Sequence, residues 1–483
     1  MRKGRADQCR GLVIAAPASG SGKTTVTLGL LAALRERGLV VQPLKAGPDF
    51  IDPGHHTAAA GGRRSRNLDG WMTDRDYVRA LVARVTAGAE IALLEGMMGL
   101  FDGFDGRSGR GSTAELAAWL GWPVVLVIDA GAAARSVAAV VRGFRTFDPT
   151  VEVGGLIFNR AGGAAHLEML ADACAGEGVC VLGGLVFDAA LEIRERHLGL
   201  HTATETRGRI DYRALGSAVA AQIDLDRLQS LARPGTIARA GVEEGRAPGR
   251  RARGVRAVRC RIAVARDAAF CFYYEDNLEL LEAAGAELVE WSPLAAQPLP
   301  PGTDGIYLGG GYPELHAAAL GRASAVRAEI RRFAEQGGMI YAECGGFMFL
   351  QRAIRLLDSS EHAMVGVFPG VAAMQSGLQA LGYVELEAEL DGRRLELRGQ
   401  EFRHSTLEVP ALPAPSANDP VTLVYRVSGR GIGPSEGYAW RQVLGSYIHL
   451  HFASAPEIAA LLVARAAARR AAGARVRASR DER

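Results

Sequence analysis

The sequence predicts two successive α/β domains, the first a doubly wound parallel sheet. Three observations carry this expectation. At 483 residues the chain is longer than one ordinary core sustains. Continuous apolar runs of strand length alternate with helical patterns in both halves, as parallel strands buried on both faces require. Between the halves, residues 226–260 are rich in Gly, Pro and Arg and show little apolar periodicity. The expected organisation is a first domain over 1–225, a linker over 226–260, a second domain over 261–465 and a disordered tail over 466–483, where a helix end frays.

Taken in order, residues 11–16 (GLVIAA) read as a buried strand and 22–37 as a helix stopped by Gly38. Further strands are expected at 39–45, 90–95, 123–128 and 153–158. After the linker, strands are expected at 261–265, 286–291, 305–310 and 339–342, and helices at 277–285 and 324–336. From 380 to 409 the apolar period becomes two (YVELEAEL, RRLELRG), which predicts antiparallel strands.

Composition narrows the function. With 48% hydrophobic and 23% charged residues, the chain has a globular profile. A net charge of +3 is too small to point to nucleic acid. No segment approaches the ~18 uncharged apolar residues of a membrane span. The first apolar run leads straight into a motif, so it reads as a strand and not a signal peptide. The six cysteines form no C-x-x-C pair, and reduced thiols in the cytoplasm are expected. Only Lys3, Lys23 and Lys45 are lysines, and nearly every other basic position is arginine. Lys23 and Lys45 therefore mark places where a compact ammonium is needed.

APASGSGKTT (16–25) follows the first strand and opens a helix. Glycines let backbone wrap a phosphate, and the helix N-terminus aims N–H groups at it. Ser19, Gly20, Ser21, Gly22, Lys23, Thr24 and Thr25 are the expected ATP contacts. Lys23 reaches the outer phosphates and Thr24 serves Mg²⁺. Pro17 stands where the complete pattern has glycine. KAGPDFIDPGHH (45–56) and LLEGMMGLFDG (93–103) place acids at strand C-termini, where open parallel sheets bind ligands. Asp49 and Glu95 are the expected Mg²⁺ ligands beside Thr24, with Asp52 and Asp102 as further candidates. His55 and His56 are either substrate contacts or surface-loop residues. Asn159, ending another strand, either offers its amide to an adenine edge or caps a helix.

The second half carries a different chemistry. The run Met339–Ala342 ends in Glu343, Cys344, Gly345 and Gly346. A nucleophile on a tight strand-to-helix turn needs small neighbours, and a helix N-terminus behind it favours thiolate. GSYIHLHF (445–452) offers His449 as the base. YLGGGYPE (307–314) offers backbone N–H groups of Gly310 and Gly311, which with that of Gly345 form an oxyanion hole. The bland alternative is a buried structural thiol.

Taken together, APASGSGKTT, KAGPDFIDP, EGMMGLFDG, LGGGYPE, AECGGFMFL and GSYIHLHF resemble the cobyrinate/hydrogenobyrinate glutamine amidotransferase family over roughly residues 10–455. The first half resembles P-loop domains of the dethiobiotin-synthetase type. The second resembles class I glutamine amidotransferases of the cobyric acid synthase subtype. The resemblance implies Cys344 as glutaminase nucleophile, His449 as its base, ATP and Mg²⁺ as cofactors, and glutamine and a corrin-type tetrapyrrole as substrates. It places Lys45, Asp52 and Asp102 in the acyl-phosphate region. The implied reaction amidates the a and c acetates of cobyrinic acid, with hydrogenobyrinic acid or nickel sirohydrochlorin as alternative rings. FYYEDNLELLEAAGAELV (272–289) is more similar to the cobyrinate branch. Neither nucleic acid nor membrane is an implied partner, and a homodimer stays open. Related glutaminases often carry an acid two residues after the histidine; here that position is His451, so no third triad member is assigned. QEFRHS (400–405) also departs from the family's segment, which is richer in histidine and tyrosine. A regulatory P-loop ATPase, the alternative of a different class, accounts for residues 10–225 and leaves Cys344 and His449 without a role.

Overall fold

A computed structural model describes residues 9–188, 195–196, 199–200, 210–235, 258–409, 421–429 and 435–481. The chain divides into two compact units, residues 1–247 and 248–483.

The first unit alternates β1 (Arg10–Ala15), α1 (Lys23–Glu36), β2 (Val41–Ala46), α2 (Asp52–Ala59), β3 (Arg66–Leu68), α3 (Arg75–Val85), β4 (Ile91–Glu95), α4 (Thr113–Leu120), β5 (Val124–Asp129), α5 (Val137–Phe147), β6 (Val153–Ala161), α6 (Ala164–Cys174) and β7 (Cys180–Val186). A two-strand ladder, β8 (Glu195–Arg196) and β9 (Gly199–Leu200), precedes α7 (Tyr212–Gln222), α8 (Leu225–Leu231) and β10 (Arg233–Pro234). The sheet runs β3-β2-β4-β1-β5-β6-β7, all parallel, with β10 antiparallel on the start of β1. Alternate residues of β1 feed two cores: Val13 and Ala15 face one, Leu12 and Ile14 the other. Burial on both faces is why the strand reads as continuously apolar, each such side chain contributing about 2 kcal/mol. Asp74, Ser112, Asp211 and Asp224 cap α3, α4, α7 and α8 through side-chain acceptors.

The second unit opens with β11 (Cys260–Ala265), α9 (Glu275–Ala283), β12 (Ala286–Trp291), β13 (Gly305–Leu308), α10 (Ala317–Arg322), α11 (Ser324–Glu335), β14 (Met339–Glu343) and α12 (Gly345–Leu350). It continues with β15 (Ala353–Arg355), β16 (Glu361–Ala363), β17 (Val371–Met374), β18 (Ala380–Leu390), β19 (Arg393–Arg403), β20 (Ser405–Glu408), β21 (Thr422–Gly429), β22 (Ser435–Trp440), β23 (Val443–Ser446), β24 (His449–Leu450) and α13 (Glu457–Asp481). Its main sheet runs β12-β11-β13-β14-β23-β22-β21-β18-β19-β24; a smaller one runs β16-β15-β17-β20. The first five strands are parallel and the rest antiparallel. The expected period-two stretch forms β18 and β19, joined through Asp391-Gly392 with positive φ at both (51° and 69°), as a type I′ turn needs.

Two expected boundaries move. The linker was expected from 226, but α8 and β10 belong to the first sheet, and Leu225 and Leu228 are buried in its core. The Asp224 cap and an amphipathic LDRLQSL turn outweigh the Gly/Pro/Arg composition that begins only afterwards. The linker's residues 236–257 lie outside the described residues. The tail was expected to fray from 466, yet α13 continues to Asp481 and Ala466 is buried. Alanine and arginine are strong helix formers, which carries the helix past its last core contact. Among the described residues no helix is long and apolar enough to cross a membrane, and none of the six cysteines is in a disulfide.

Candidate active sites: a phosphate loop and a thiol elbow

In the first unit the loop between β1 and α1 turns on Gly20 and Gly22, with φ of 78° and 87°. A Cβ at Gly22 would lie 2.0 Å from Asn159 Nδ2, so only glycine fits there. Asn159 Nδ2 donates to Ser21 O at 3.0 Å; it braces the loop from β6 and does not cap a helix. Lys23 is buried, and its Nζ donates to Met98 O (2.6 Å) and Ala18 O (3.2 Å). Burial holds its pKa below the ordinary lysine value, against the pull of Glu95.

Thr24 Oγ1 donates to Glu95 Oε1 at 2.6 Å and lies 3.5 Å from Asp52 Oδ2. Lys45 Nζ sits among carboxylates, 2.5 Å from Asp52, 2.9 Å from Glu95 and 3.9 Å from Asp49. Burial works against the Lys45 charge, but Asp52, Glu95 and Asp49 outweigh it and raise its pKa. Burial likewise works to raise the Glu95 pKa, and Lys45 and His56 hold it far below the carboxylate range. Asp52 is pushed upward by burial and by Asp49, against Lys45. Asp49 Oδ1 accepts the N–H groups of Ile51 and Asp52, ordering the entry to α2. The acid beside the Thr24 hydroxyl is therefore Asp52 together with Glu95, with Asp49 farther out. Asp102 Oδ2 accepts the Gly99 N–H and shapes the loop after β4.

His55 and His56 are not surface-loop residues: both are fully buried in α2. His56 Nε2 meets Glu95 Oε2 at 2.6 Å, and His55 Nδ1 meets Tyr212 OH at 2.8 Å. The loop reading failed because the Pro53-Gly54 pair, a turn signal, lies here in the first turn of a helix. Thr24, Glu95 and Asp52 form a hard-oxygen set beside Lys23 that suits Mg²⁺, an ion bound by one or two carboxylates plus phosphate and water. Among the described residues no group of three or more His, Cys, Asp or Glu side chains is arranged to hold a metal alone.

In the second unit Cys344 sits between β14 and α12 with φ 46° and ψ −104°, the strained backbone of an elbow. Crowding explains its glycines. A Cβ at Gly346 would be 2.3 Å from Leu308 O, and one at Gly345 3.0 Å from Gly311 N. A Cβ at Gly310 would be 2.3 Å from His449 Cε1. Gly310, Gly311, Gly345, Cys344 and His449 thus gather at the C-terminal ends of β13 and β14. Gly310 is an exception to its expected role: its N–H donates to Phe272 O at 3.3 Å in a bridge between strands, which leaves Gly311 and Gly345 as candidates for that role.

The thiol departs from expectation. Burial first, then Glu314 and Glu401, push Cys344 up to about 12, and the Gly345 N–H offsets this only in part. α12 has six residues, too short a dipole to outweigh complete burial. Burial also lowers His449 to about 3, so its imidazole is neutral, and the same burial weakens it as a base. Glu343, missed in the sequence, lies with Oε2 3.9 Å from His449 Nδ1. It accepts from Tyr341 OH (2.7 Å), Tyr307 OH (3.0 Å) and Leu450 N (3.1 Å), and burial raises it to about 7. Its signal was a carboxylate closing an otherwise apolar strand. Asn277 also went unread; its amide bridges Leu450 O (2.7 Å) and Phe452 N (2.8 Å) and so fixes the histidine strand. His451 packs on Tyr274, with Asp276 4.0 Å from Nε2.

Residues 12–200 match the family model of the CobQ/CobB/MinD/ParA nucleotide binding domain, and 261–457 that of the CobB/CobQ-like glutamine amidotransferase domain. The chain is 43% identical to the cobyrinate a,c-diamide synthase of Syntrophotalea carbinolica, an alignment covering 94% of this chain and 98% of the relative. The chain belongs to the a,c-diamide synthase family. The Priestia megaterium cobyrinate a,c-diamide synthase is 41% identical (93% and 95% covered). The Streptomyces coelicolor hydrogenobyrinate a,c-diamide synthase is 40% identical (94% and 97% covered). The family's two parts coincide with the two clusters, the phosphate loop in one unit and the thiol elbow in the other.

Proposed function

We propose that this chain uses ATP and glutamine to convert the a and c acetate carboxylates of cobyrinic acid into amides, in cobalamin biosynthesis. The observation that carries the reading is the gathering of Cys344, Gly311, Gly345 and His449 in a chain that also presents the Lys23–Thr24 loop. Full-length similarity to a,c-diamide synthases supports it.

A carboxylate is a poor acyl donor at neutral pH, so it is first phosphorylated. Lys23 draws charge from the transferring phosphoryl group, and backbone N–H groups at the start of α1 hold the phosphates. Mg²⁺, when bound, supplies further neutralisation of phosphate charge. Thr24, Glu95 and Asp52 are the residues proposed to hold it, with Asp49 contributing from farther out. Lys45 keeps Glu95 ionised and faces the acyl phosphate.

At the elbow His449 takes the thiol proton and Cys344 Sγ attacks glutamine's side-chain amide carbon. The N–H groups of Gly311 and Gly345 receive the oxyanion. Ammonia leaves, water releases glutamate from the thioester, and the ammonia displaces phosphate from the acyl phosphate to give the amide. Hydrogenobyrinic acid is a second reading, favoured by the 40% identical Streptomyces coelicolor relative.

Purified enzyme assayed side by side with cobyrinic and hydrogenobyrinic acids tests both readings. Diamide should form with one ring far more efficiently, and ATP hydrolysis should depend on the ring. ATP hydrolysis indifferent to any tetrapyrrole would point back to a regulatory ATPase.

A further inference from the structure

The segment QEFRHS found no role in the reading above, and it contains a buried carboxylate that is only half satisfied. Glu401 lies in β19 and is 2% exposed. Its Oε1 accepts from Arg403 Nε at 2.5 Å. Arg403 is itself fixed, stacked 4.7 Å from the Tyr447 ring and donating to Ser405 O. Glu401 Oε2 is buried and has no hydrogen-bond partner among the described residues. Holding Arg403 needs only one oxygen. Leaving the other unpaired is unfavourable in a buried site and calls for an explanation.

Three further observations bring Glu401 into the neighbourhood of the thiol. The next carbonyl, Phe402 O, lies 3.9 Å from Cys344 Sγ. The charge of Glu401 is among those that oppose ionisation of Cys344. Across the ladder, Glu401 is paired with Gly382, where nothing lies within 4 Å of the position a Cβ would take. Directly opposed residues share a face, so that glycine leaves room beside the carboxylate. A glutamine whose amide carbon sits on Sγ carries its α-nitrogen about 5 Å further along its extended chain. That reach exceeds the 3.9 Å between the sulfur and Phe402 O, the next residue of the strand that bears Glu401.

We propose that Glu401 receives the α-ammonium group of glutamine and so selects an α-amino acid as the nitrogen donor. The proposal rests on the reading of Cys344 as glutaminase nucleophile. The ammonium supplies the partner Oε2 lacks. It also cancels the negative charge facing the thiol, so the donor that is to be cleaved helps form the thiolate that attacks it.

The test uses the full chain with Mg-ATP and compares two donors and two thiol reagents. Glutaramate is glutamine without its α-amino group; 6-diazo-5-oxo-L-norleucine carries that group, and iodoacetamide does not. Wild type should cleave L-glutamine at least about a hundredfold more efficiently than glutaramate, the size of rejection expected when a buried acceptor is left unpaired. In Glu401→Gln that ratio should collapse, mainly through KM for glutamine. Inactivation by the diazo reagent should slow about a hundredfold. Alkylation of Cys344 by iodoacetamide should hold or quicken, showing an intact fold and an accessible thiol. Equal use of the two donors by wild type overturns the proposal without any variant. So does a Glu401→Gln enzyme with unchanged discrimination, or one slowed equally toward both reagents, which would make Glu401 part of the thiol's environment only. If the diazo reagent inactivates wild type without labelling Cys344, the nucleophile reading itself falls, and the subsite with it.

Discussion

Around Thr24, the buried Lys45 ammonium and the buried Glu95 carboxylate face each other at 2.9 Å and stay charged. Around Cys344, the buried carboxyl, imidazole and thiol are all drawn toward their neutral forms. Both clusters sit at C-terminal ends of parallel strands, and both are removed from water. The difference lies in how burial is compensated. In the first unit Lys45 and Glu95 keep each other ionised. In the second, among the described residues, no buried cation faces Glu343, and burial draws it toward its protonated form between two tyrosine hydroxyls. The contrast suits the tasks proposed for them. A site that handles phosphate and a divalent cation needs standing charges. A site that makes a thiolate only when its donor arrives is better kept neutral.

The sharpest way to break this comparison is Lys23→Ala. Amidation should fall about a thousandfold or more with glutamine and with ammonium salts alike, since both need the acyl phosphate. Substantial ammonia-dependent product from that variant, measured by chromatography of the tetrapyrrole, would remove Lys23 from phosphoryl transfer. Cys344→Ser should split the two nitrogen sources. Glutamine-dependent amidation drops about a thousandfold, while ammonium still supports turnover. Loss of both, with circular dichroism unchanged, would mean that the two sites are not separate in function.

Smaller effects test the electrostatics. Glu95→Gln removes a partner from the buried Lys45 and from His56. It should destabilise the first unit by about 3 kcal/mol, read as a lower Tm in calorimetry. An unchanged Tm would mean that the charges are not held as the geometry indicates. Glu343→Gln should leave a subtler mark. The folded pKa of Glu343 is raised from 4.5 to about 7, so between those values the native state holds a proton that the unfolded chain has released. Its contribution to stability is complete below about pH 4.5 and is lost as pH rises to 7, at most roughly 3 kcal/mol by linkage. Wild type should therefore lose Tm relative to Glu343→Gln as pH goes from 5 to 8. A flat difference would show an ionised Glu343 and erase the contrast between the sites.

Much of both sites was legible because their residues are contiguous. The phosphate loop, its lysine and the Cys-Gly-Gly turn are local structures whose backbone angles demand particular residues in succession, at Gly22 and Gly346 above all. The strands could be read because parallel strands are apolar on both faces. The histidines of α2 could not, because a Pro-Gly pair signals a turn unless tertiary packing makes it a helix start.

The sequence by itself determined the two α/β units, the Cys-Gly-Gly turn, the phosphate loop and the family, since each rests on short-range pattern and backbone chemistry. Only the tertiary structure decided which acid stands beside Thr24, that the Gly310 N–H is already engaged, that Glu343 lies against His449, and that Glu401 keeps an unpaired oxygen in the strand whose Phe402 carbonyl nears the thiol. Those are relations between residues far apart in the chain. The ionisation of each group follows from which charges and how much water reach it, and both are set by packing, not by neighbours in sequence.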